Sequence, residues 1–404
     1  MNILYYYHYI GSPTSPKEWR AYFLSKGFTA NGHSVSVIGA SNHHMQRDNH
    51  EQTENVVTKS IEDIQFYWLK VPKYVGNGFS RIKNMLSFGY QSFFMDPVEE
   101  LGINTPDLIV ASSVHPFHLI GAIRWARKYK CKIFFEVRDP WPLSLNLLLG
   151  MSKWHPLSLL LQLFQYIGHK YTDKTISTAF NLKSYMMQHG LAEDKFIYAC
   201  NGIDSTQEVS EKSILDNKLS DIRDKYPRIV MYTGTLGVPN AMKYVIEAFN
   251  KIKSHNIALV IIGNGIEKEN LQQLRNSKNI YFFDPVPKNE VQRVLSYADV
   301  CILSWQNISL YKYGLSPNKV FDYMWAAKPI LQAVNSPNNQ VELASCGENI
   351  EPENSTKIME AILLYANKSD SELKSIGLNG HKYLLEHFEF KNIARIITDE
   401  VEIK

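Results

Sequence analysis

The sequence predicts an α/β chain of two doubly wound, Rossmann-like domains facing each other across a cleft, and three observations point there. At 404 residues with 45% hydrophobic content, the chain exceeds one ordinary core and suits two of roughly 200 residues each. Short β-rich runs alternate with amphipathic helical runs, the pattern of a parallel sheet covered on both faces. The alternation lapses in the polar stretch 205–225 and restarts near residue 228.

In the first series, 2–7 reads as a strand. After the loop Gly11-Ser12-Pro13-Thr14, Ser15 can cap a helix with Pro16 at its first position and Glu18 closing a capping box. Trp19, Tyr22, Phe23 and Ala30 mark its buried face and Gly32 fits the stop. Strands follow at 35–38, 108–111, 132–137 and 174–177. The second series places strands at 229–232, 258–262, 280–283, 300–303 and 330–333, with helices at 241–253, 267–275, 290–297 and 319–327. The expected division is 1–204, 205–380, and a C-terminal helix in 381–404 that packs back on the first domain.

Composition narrows the function classes. No apolar run reaches the ~20 residues needed to cross a bilayer, and 1–10 is tyrosine-rich without a signal-peptide layout, so a cytoplasmic protein is expected. Cys131, Cys200, Cys301 and Cys346 form no CxxC pair, which suggests neither zinc nor a disulfide framework. Residues 1–199 hold 20 Lys+Arg against 15 Asp+Glu, whereas the remainder holds 23 against 25. That mildly basic half suits an anionic partner such as a membrane surface or a phosphorylated acceptor, and is too weakly basic for a nucleic-acid binder. An ordinary solvated surface reads the same way.

In open parallel sheets, ligands sit beyond the carboxyl ends of strands, where helix N-termini offer free N–H groups to anions. Thr233-Gly234-Thr235-Leu236-Gly237 follows the first strand of the second domain, and its glycines admit a phosphate to the backbone or merely shape a turn. In Gly314-Leu315-Ser316-Pro317-Asn318-Lys319-Val320-Phe321-Asp322, small and polar residues run straight into a helix. Amides near Ser316 and the Lys319 ammonium can hold a diphosphate, and Asp322 can take a ribose or sugar hydroxyl. The local sequence equally allows Ser316 to cap the helix and Asp322 to complement its dipole.

The stretch from Gly314 through Asp322-Tyr323-Met324-Trp325-Ala326-Ala327-Lys328-Pro329-Ile330 resembles the donor-binding signature of family-four retaining glycosyltransferases with the GT-B fold. Within that family it is similar to the bacterial O-antigen, capsule and colanic-acid branch, which includes the L-fucosamine transferases. Gly32-His33-Ser34-Val35, Ser112-Ser113-Val114-His115-Pro116, Phe135-Glu136-Val137-Arg138-Asp139, Asn201-Gly202-Ile203-Asp204 and Ala298-Asp299-Val300 follow the family's order.

The resemblance implies a second domain that binds a nucleotide-diphosphate sugar, a first domain that binds the acceptor, and retention of anomeric configuration. It assigns Val286-Pro287 to the base, Gly234, Thr235, Gly237 and Ser316, Pro317, Asn318, Lys319 to the diphosphate, and Asp322 to the ribose. Gly11 and Ser12 would face the phosphates from the other domain, with Arg20 or Arg138 as aids to Lys319. Arg138-Asp139 occupy the loop near the transferred sugar. Two departures stand out: Gly314 replaces the first of the family's paired glutamates, and Thr235 stands where many members carry Arg, with no lysine until Lys243.

Phosphoryl leaving groups need positive charge or oriented N–H dipoles, which Lys319 and its helix start can supply without a metal or other cofactor. No Asp-x-Asp dyad lies in a suitable loop. In a retaining reaction through an oxocarbenium-like state the departing phosphate can take the acceptor proton, so Asp139 is a candidate base and not a required one. His115 either touches substrate or packs its loop. Glu136 is either a cleft residue or half of a buried pair with an arginine.

Two basic, aromatic stretches, 79–95 and 153–170, can lie at a lipid interface or in a helical core. The helical core is the more ordinary case, and only the branch's polyprenyl-diphosphate-linked acceptors lend weight to the interface. The expected activity is transfer of a hexosyl or N-acetyl-deoxyhexosaminyl unit, UDP-linked, to a lipid-linked glycan at the inner face of the membrane. The rivals are a sugar-nucleotide epimerase, which would isomerise donor alone, and a non-catalytic nucleotide-sugar-binding scaffold.

Overall fold

A computed structural model of the chain describes residues 1–10, 20–43, 54–76, 78–113, 115–252, 256–337 and 339–402. It divides into two units, Met1–Asn201 with Phe390–Lys404, and Gly202–Glu389. Gly11, Ser12 and the capping residues Ser15, Pro16 and Glu18 lie outside the described residues.

The first unit runs β1 (Asn2–Tyr7), α1 (Arg20–Ala30), β2 (Ser34–Ala40), β3 (Val56–Ile61), β4 (Ile64–Leu69), α2 (Phe79–Phe94), β5 (Leu108–Ser113), α3 (Leu119–Tyr129) and β6 (Lys132–Val137). It continues through α4 (Leu143–Leu149), α5 (Pro156–Tyr171), β7 (Lys174–Ser177), α6 (Lys183–Gln188) and β8 (Phe196–Tyr198). The sheet order is β3-β4-β2-β1-β5-β6-β7-β8. β1 lies between β2 and β5, so Ile3 to Tyr7 are all buried. A strand covered on both faces reads as a continuous apolar run and not as an alternation. Only β3 among these strands pairs antiparallel, with β4, through a two-residue turn in which Glu62 and Asp63 both take positive φ.

The second unit runs α7 (Asp216–Lys225), β9 (Arg228–Thr233), α8 (Met242–Lys251), β10 (Ile257–Ile262), α9 (Lys268–Leu274), β11 (Ile280–Phe283), α10 (Val291–Ser296), β12 (Val300–Ser304) and α11 (Asn318–Trp325). It ends with β13 (Ile330–Ala333), α12 (Gln340–Leu343), β14 (Gly347–Ile350), α13 (Ser355–Ala366) and α14 (Asp370–His387). The order β11-β10-β9-β12-β13-β14 is fully parallel. Counted from β9 it is the 3-2-1-4-5-6 order of dinucleotide-binding sheets, whose direction reverses between β9 and β12.

α15 (Phe390–Glu402) belongs to the first unit and packs on α1. Phe390, Ile393, Ala394 and Ile397 are buried at helical spacing. A Cβ on Gly27 would come within 2.4 Å of the Phe390 carbonyl oxygen, so glycine lets the two backbones approach. The return begins at Phe390, later than the expected 381, because α14 continues through Gly377 and Gly380 to His387.

Candidate functional site

The reversal of strand order in the second sheet puts the loop after β9 at the position where such folds take ligands. Gly234 there has φ +141°, and a Cβ on it would meet Lys319 Cε at 2.2 Å. The loop after β10, Gly263-Asn264-Gly265, lies against the same backbone: Gly234 N–H donates to Ile262 O at 2.9 Å and Leu236 N–H to Asn264 O at 2.9 Å. Cβ atoms on Gly263 and Gly265 would strike the carbonyl oxygens of Gly234 and Leu236 at 1.9 and 2.2 Å. These two glycines escaped the sequence reading, although a Gly-x-Gly directly after a strand was its signal. Gly237 differs from the expectation of a close approach, since a Cβ there would find its nearest neighbour at 3.7 Å.

Lys319, in the first turn of α11, reaches across to this loop. Its ammonium donates to Tyr232 Oη at 2.5 Å and Asn240 Oδ1 at 2.9 Å, and lies 4.5 Å from the Tyr232 ring centroid. Tyr232 Oη in turn donates to Thr235 O at 2.6 Å. Burial lowers the Lys319 pKa to about 7. Pro317 is the N-cap of α11 and makes no side-chain capping bond. A proline N-cap offers no acceptor to the first-turn N–H groups, which suit an anion. Tyr323, one turn on, is fully buried and its hydroxyl accepts from Thr233 N at 2.8 Å, tying α11 to the end of β9.

Asp322 is not a free carboxylate. It is buried and ion-paired with Lys288, a residue the sequence reading left out. Lys288 follows Val286 and Pro287, of which Val286 is half-buried and Pro287 exposed. The pair therefore links the expected base-contacting segment to the helix that carries Lys319. Gly314 takes φ +98° at the end of the turn Ser309–Tyr313, and Gln340 Nε2 donates to Leu315 O at 3.1 Å, fixing the approach to α11. Beside Gly237, an open depression of about 120 Å³ is lined by Val238, Lys243, Glu267, Gln306 and Glu353.

The first unit revises three assignments, those of Glu136, Arg20 and His115. Glu136, on β6, is completely buried: Oε2 accepts from Tyr5 Oη and Ser112 Oγ, each at 2.5 Å, and Oε1 accepts from Arg20 Nη2 at 2.8 Å and Nε at 3.0 Å. Arg20 also donates to Ala199 O at 2.8 Å, Cys200 O at 2.6 Å and Asn201 Oδ1 at 3.2 Å. A guanidinium has five N–H donors, and all five are engaged within the unit. Glu136 is thus half of a buried pair and not a catalytic carboxylate, and Arg20 has no donor left for a phosphate.

Arg138 and Asp139 follow β6 directly. Arg138 lies 5.2 Å over the Tyr7 ring, and its backbone is held by Ser113 Oγ at 3.4 Å and Thr178 Oγ1 at 3.0 Å. The Asp139 side chain is exposed while the protein crowded around it raises its pKa, partly offset by Arg138. It lines a hollow no larger than a water molecule with Ser113, Pro116, Trp141 and Gln165. His115 is fully buried, which removes it from substrate contact. It packs edge-on against His8 at 4.4 Å and His118 at 5.8 Å, and burial lowers the pKa of all three, that of His118 to about 3. Among the described residues, no group of three or more His, Cys, Asp or Glu is arranged to hold a metal, and no helix is long and apolar enough to cross a membrane.

Two α/β units, each built on a sheet that is parallel throughout or in all but its edge strand, define the GT-B class of fold. Residues 227–367 match the family described as Glycosyl transferases group 1. The chain is 26% identical over 267 residues to the Escherichia coli (strain K12) protein WcaI, named as a colanic acid biosynthesis glycosyl transferase. That alignment covers 63% of this chain and 64% of the relative's length.

Among solved structures, sucrose-phosphate synthase from Thermosynechococcus elongatus superposes with a TM-score of 0.70 at 12% identity, over 98% of this chain and 97% of that one. Anabaena HepE in complex with UDP and glucose gives 0.67 at 12%, over 100% and 99%. An E. coli trehalose-6-phosphate structure bound with UDP-2-fluoro glucose gives 0.70 at 11%, over the whole of both chains. At these identities the likeness concerns the fold.

Proposed function

We propose that the chain is a retaining, metal-independent glycosyltransferase. It moves a hexosyl or N-acetyl-deoxyhexosaminyl unit from a UDP-linked sugar to a polyprenyl-diphosphate-linked glycan in surface-polysaccharide assembly. The observation that carries this reading is the Lys319 ammonium, held against Gly234 at the start of α11, where the N-cap is a proline. Positive charge and oriented N–H groups in a water-poor setting stabilise a departing diphosphate and need no metal to do so.

The UDP and UDP-sugar held by the HepE and trehalose-6-phosphate structures support a uridine donor, and the name of WcaI supports a polysaccharide product. The first unit receives the acceptor beside Arg138 and Asp139. The departing phosphate takes the acceptor proton, so no protein base is required, and Asp139 is the candidate to assist. The protein works at the inner face of the cell membrane, in peripheral contact with it.

Calorimetric titration with UDP tests the donor assignment. Lys319→Ala is expected to weaken UDP binding roughly 10- to 100-fold, the range for hydrogen bonds to a charged group; unchanged affinity removes the phosphate assignment. Transfer to a polyprenyl-linked acceptor is expected to persist in EDTA. A second reading, a nucleotide-sugar binder without turnover, is favoured by Gly314 at the position of a family glutamate and by Lys288 occupying Asp322. Tight UDP binding with no transfer and no hydrolysis selects it.

A further inference from the structure

The outer face of α5 is apolar where a surface helix should be polar. Ser158, Leu161, Phe164, Gln165 and Gly168 turn inward and are buried, which accounts for one side of the helix. On the other side Leu159, Leu160 and Leu163 stand 45%, 39% and 53% exposed. The preceding segment extends the feature, with Leu148 and Leu149 at the end of α4 and Trp154 before α5, the last 72% exposed. Isolated exposed apolar side chains are ordinary, but a contiguous set on successive elements marks an interaction surface.

Charge says what covers it. From Pro140 to Tyr171 the sequence contains no Asp or Glu, while Lys153 and Lys170 are exposed at the two ends of the patch. Each lysine lies by an aromatic ring: Lys153 is 5.6 Å from Trp154, and Lys170 5.3 Å from Tyr166 and 5.7 Å from Tyr171. Leucines flanked by tryptophan, tyrosine and lysine, with no carboxylate to repel phosphate, match the layering of a lipid interface: acyl chains, then headgroups, then anionic charge. A second copy of the chain fits less well, since a two-fold contact through this face would set the same lysines against one another with no acid to answer them.

We infer that α4, the 150–155 connection and the outer face of α5 form a single membrane-docking surface for anionic phospholipid. The side chains of Leu149, Trp154, Leu159, Leu160 and Leu163 enter the headgroup–acyl boundary, and Lys153 and Lys170 meet the phosphates. The inference stands on this surface alone and holds whether or not the donor assignment does.

Flotation of the full chain with vesicles of phosphatidylcholine, or of phosphatidylcholine with phosphatidylglycerol at 3:1, tests it. The wild-type chain is expected to float with the anionic vesicles at low salt and at least tenfold less with the neutral ones. Leu159→Glu with Leu163→Glu is expected to abolish flotation, and Lys153→Ala with Lys170→Ala to reduce it several-fold, more so as salt rises. Unchanged UDP binding and melting temperature in these variants exclude misfolding as the cause. Flotation that survives the double glutamate variant overturns the inference. So does a wild-type dimer in light scattering that the same variant makes monomeric while neither form binds vesicles.

Discussion

Lys319 is a cation kept where an uncharged amine is more comfortable. With its pKa lowered to about 7 by burial, much of it is neutral at pH 8 before a ligand arrives. A diphosphate reverses that preference, so binding above pH 7 draws in a proton and affinity falls as pH rises. Titrating UDP at pH 8 in buffers of different ionisation heat should reveal uptake approaching one proton, absent in Lys319→Met. The Arg20–Glu136 pair tests a different kind of residue. Removing one partner of a buried ion pair costs about 3–5 kcal/mol, so Glu136→Gln should lower stability in denaturant by an amount of that order and leave UDP affinity unchanged. Lost affinity at full stability would return Arg20 to the donor site.

The glycine loop after β9 separates glycine as a steric necessity from glycine as a convenience. Gly234→Ala should displace Lys319 and weaken UDP binding, whereas Gly237→Ala, with room for the methyl group, should bind as the parent does; the same titration reads both. At this scale the sequence was most legible where strands are central. The runs around 2–7, 132–137 and 258–262 are apolar enough on both faces to declare themselves. The β3–β4 hairpin was invisible because Glu62-Asp63 supplies the positive φ angles that glycine or asparagine usually signals. β14 escaped because Gly347, Glu348 and Asn349 carry no apolar pattern. Lys319 was readable from its place after a loop and before a helix. Lys288 was not, since its partner Asp322 lies 34 residues on and only the fold brings them together. Glu136 misled for the same reason: its place at a strand end is equally that of a site residue, and Tyr5 and Arg20 reach it from 131 and 116 positions away.

The two units carry different sensitivities to acid. His8, His115 and His118 are buried in the first, with pKa values held below the ordinary 6.5. The unfolded chain therefore binds more protons below about pH 6.5. The stability these groups confer as neutral rings is whole above that pH and falls as acid approaches their folded values, by about 1.4 kcal/mol per pH unit for each histidine. Calorimetry between pH 7 and 5 should show an early transition sliding to lower temperature. UDP at about 100 times its dissociation constant should raise the other transition, adding roughly 2.7 kcal/mol to the unit that binds it. Both transitions moving together with acid would refute the assignment to one unit. The return of α15 adds a constraint of timing. The groove on α1 around Gly27 is filled by Phe390 and Ala394, residues that come after the whole second unit in the chain. During synthesis the first unit waits, with an apolar seam open, while all of the second is made, so a stop codon just before Phe390 should harm the first unit more than the second.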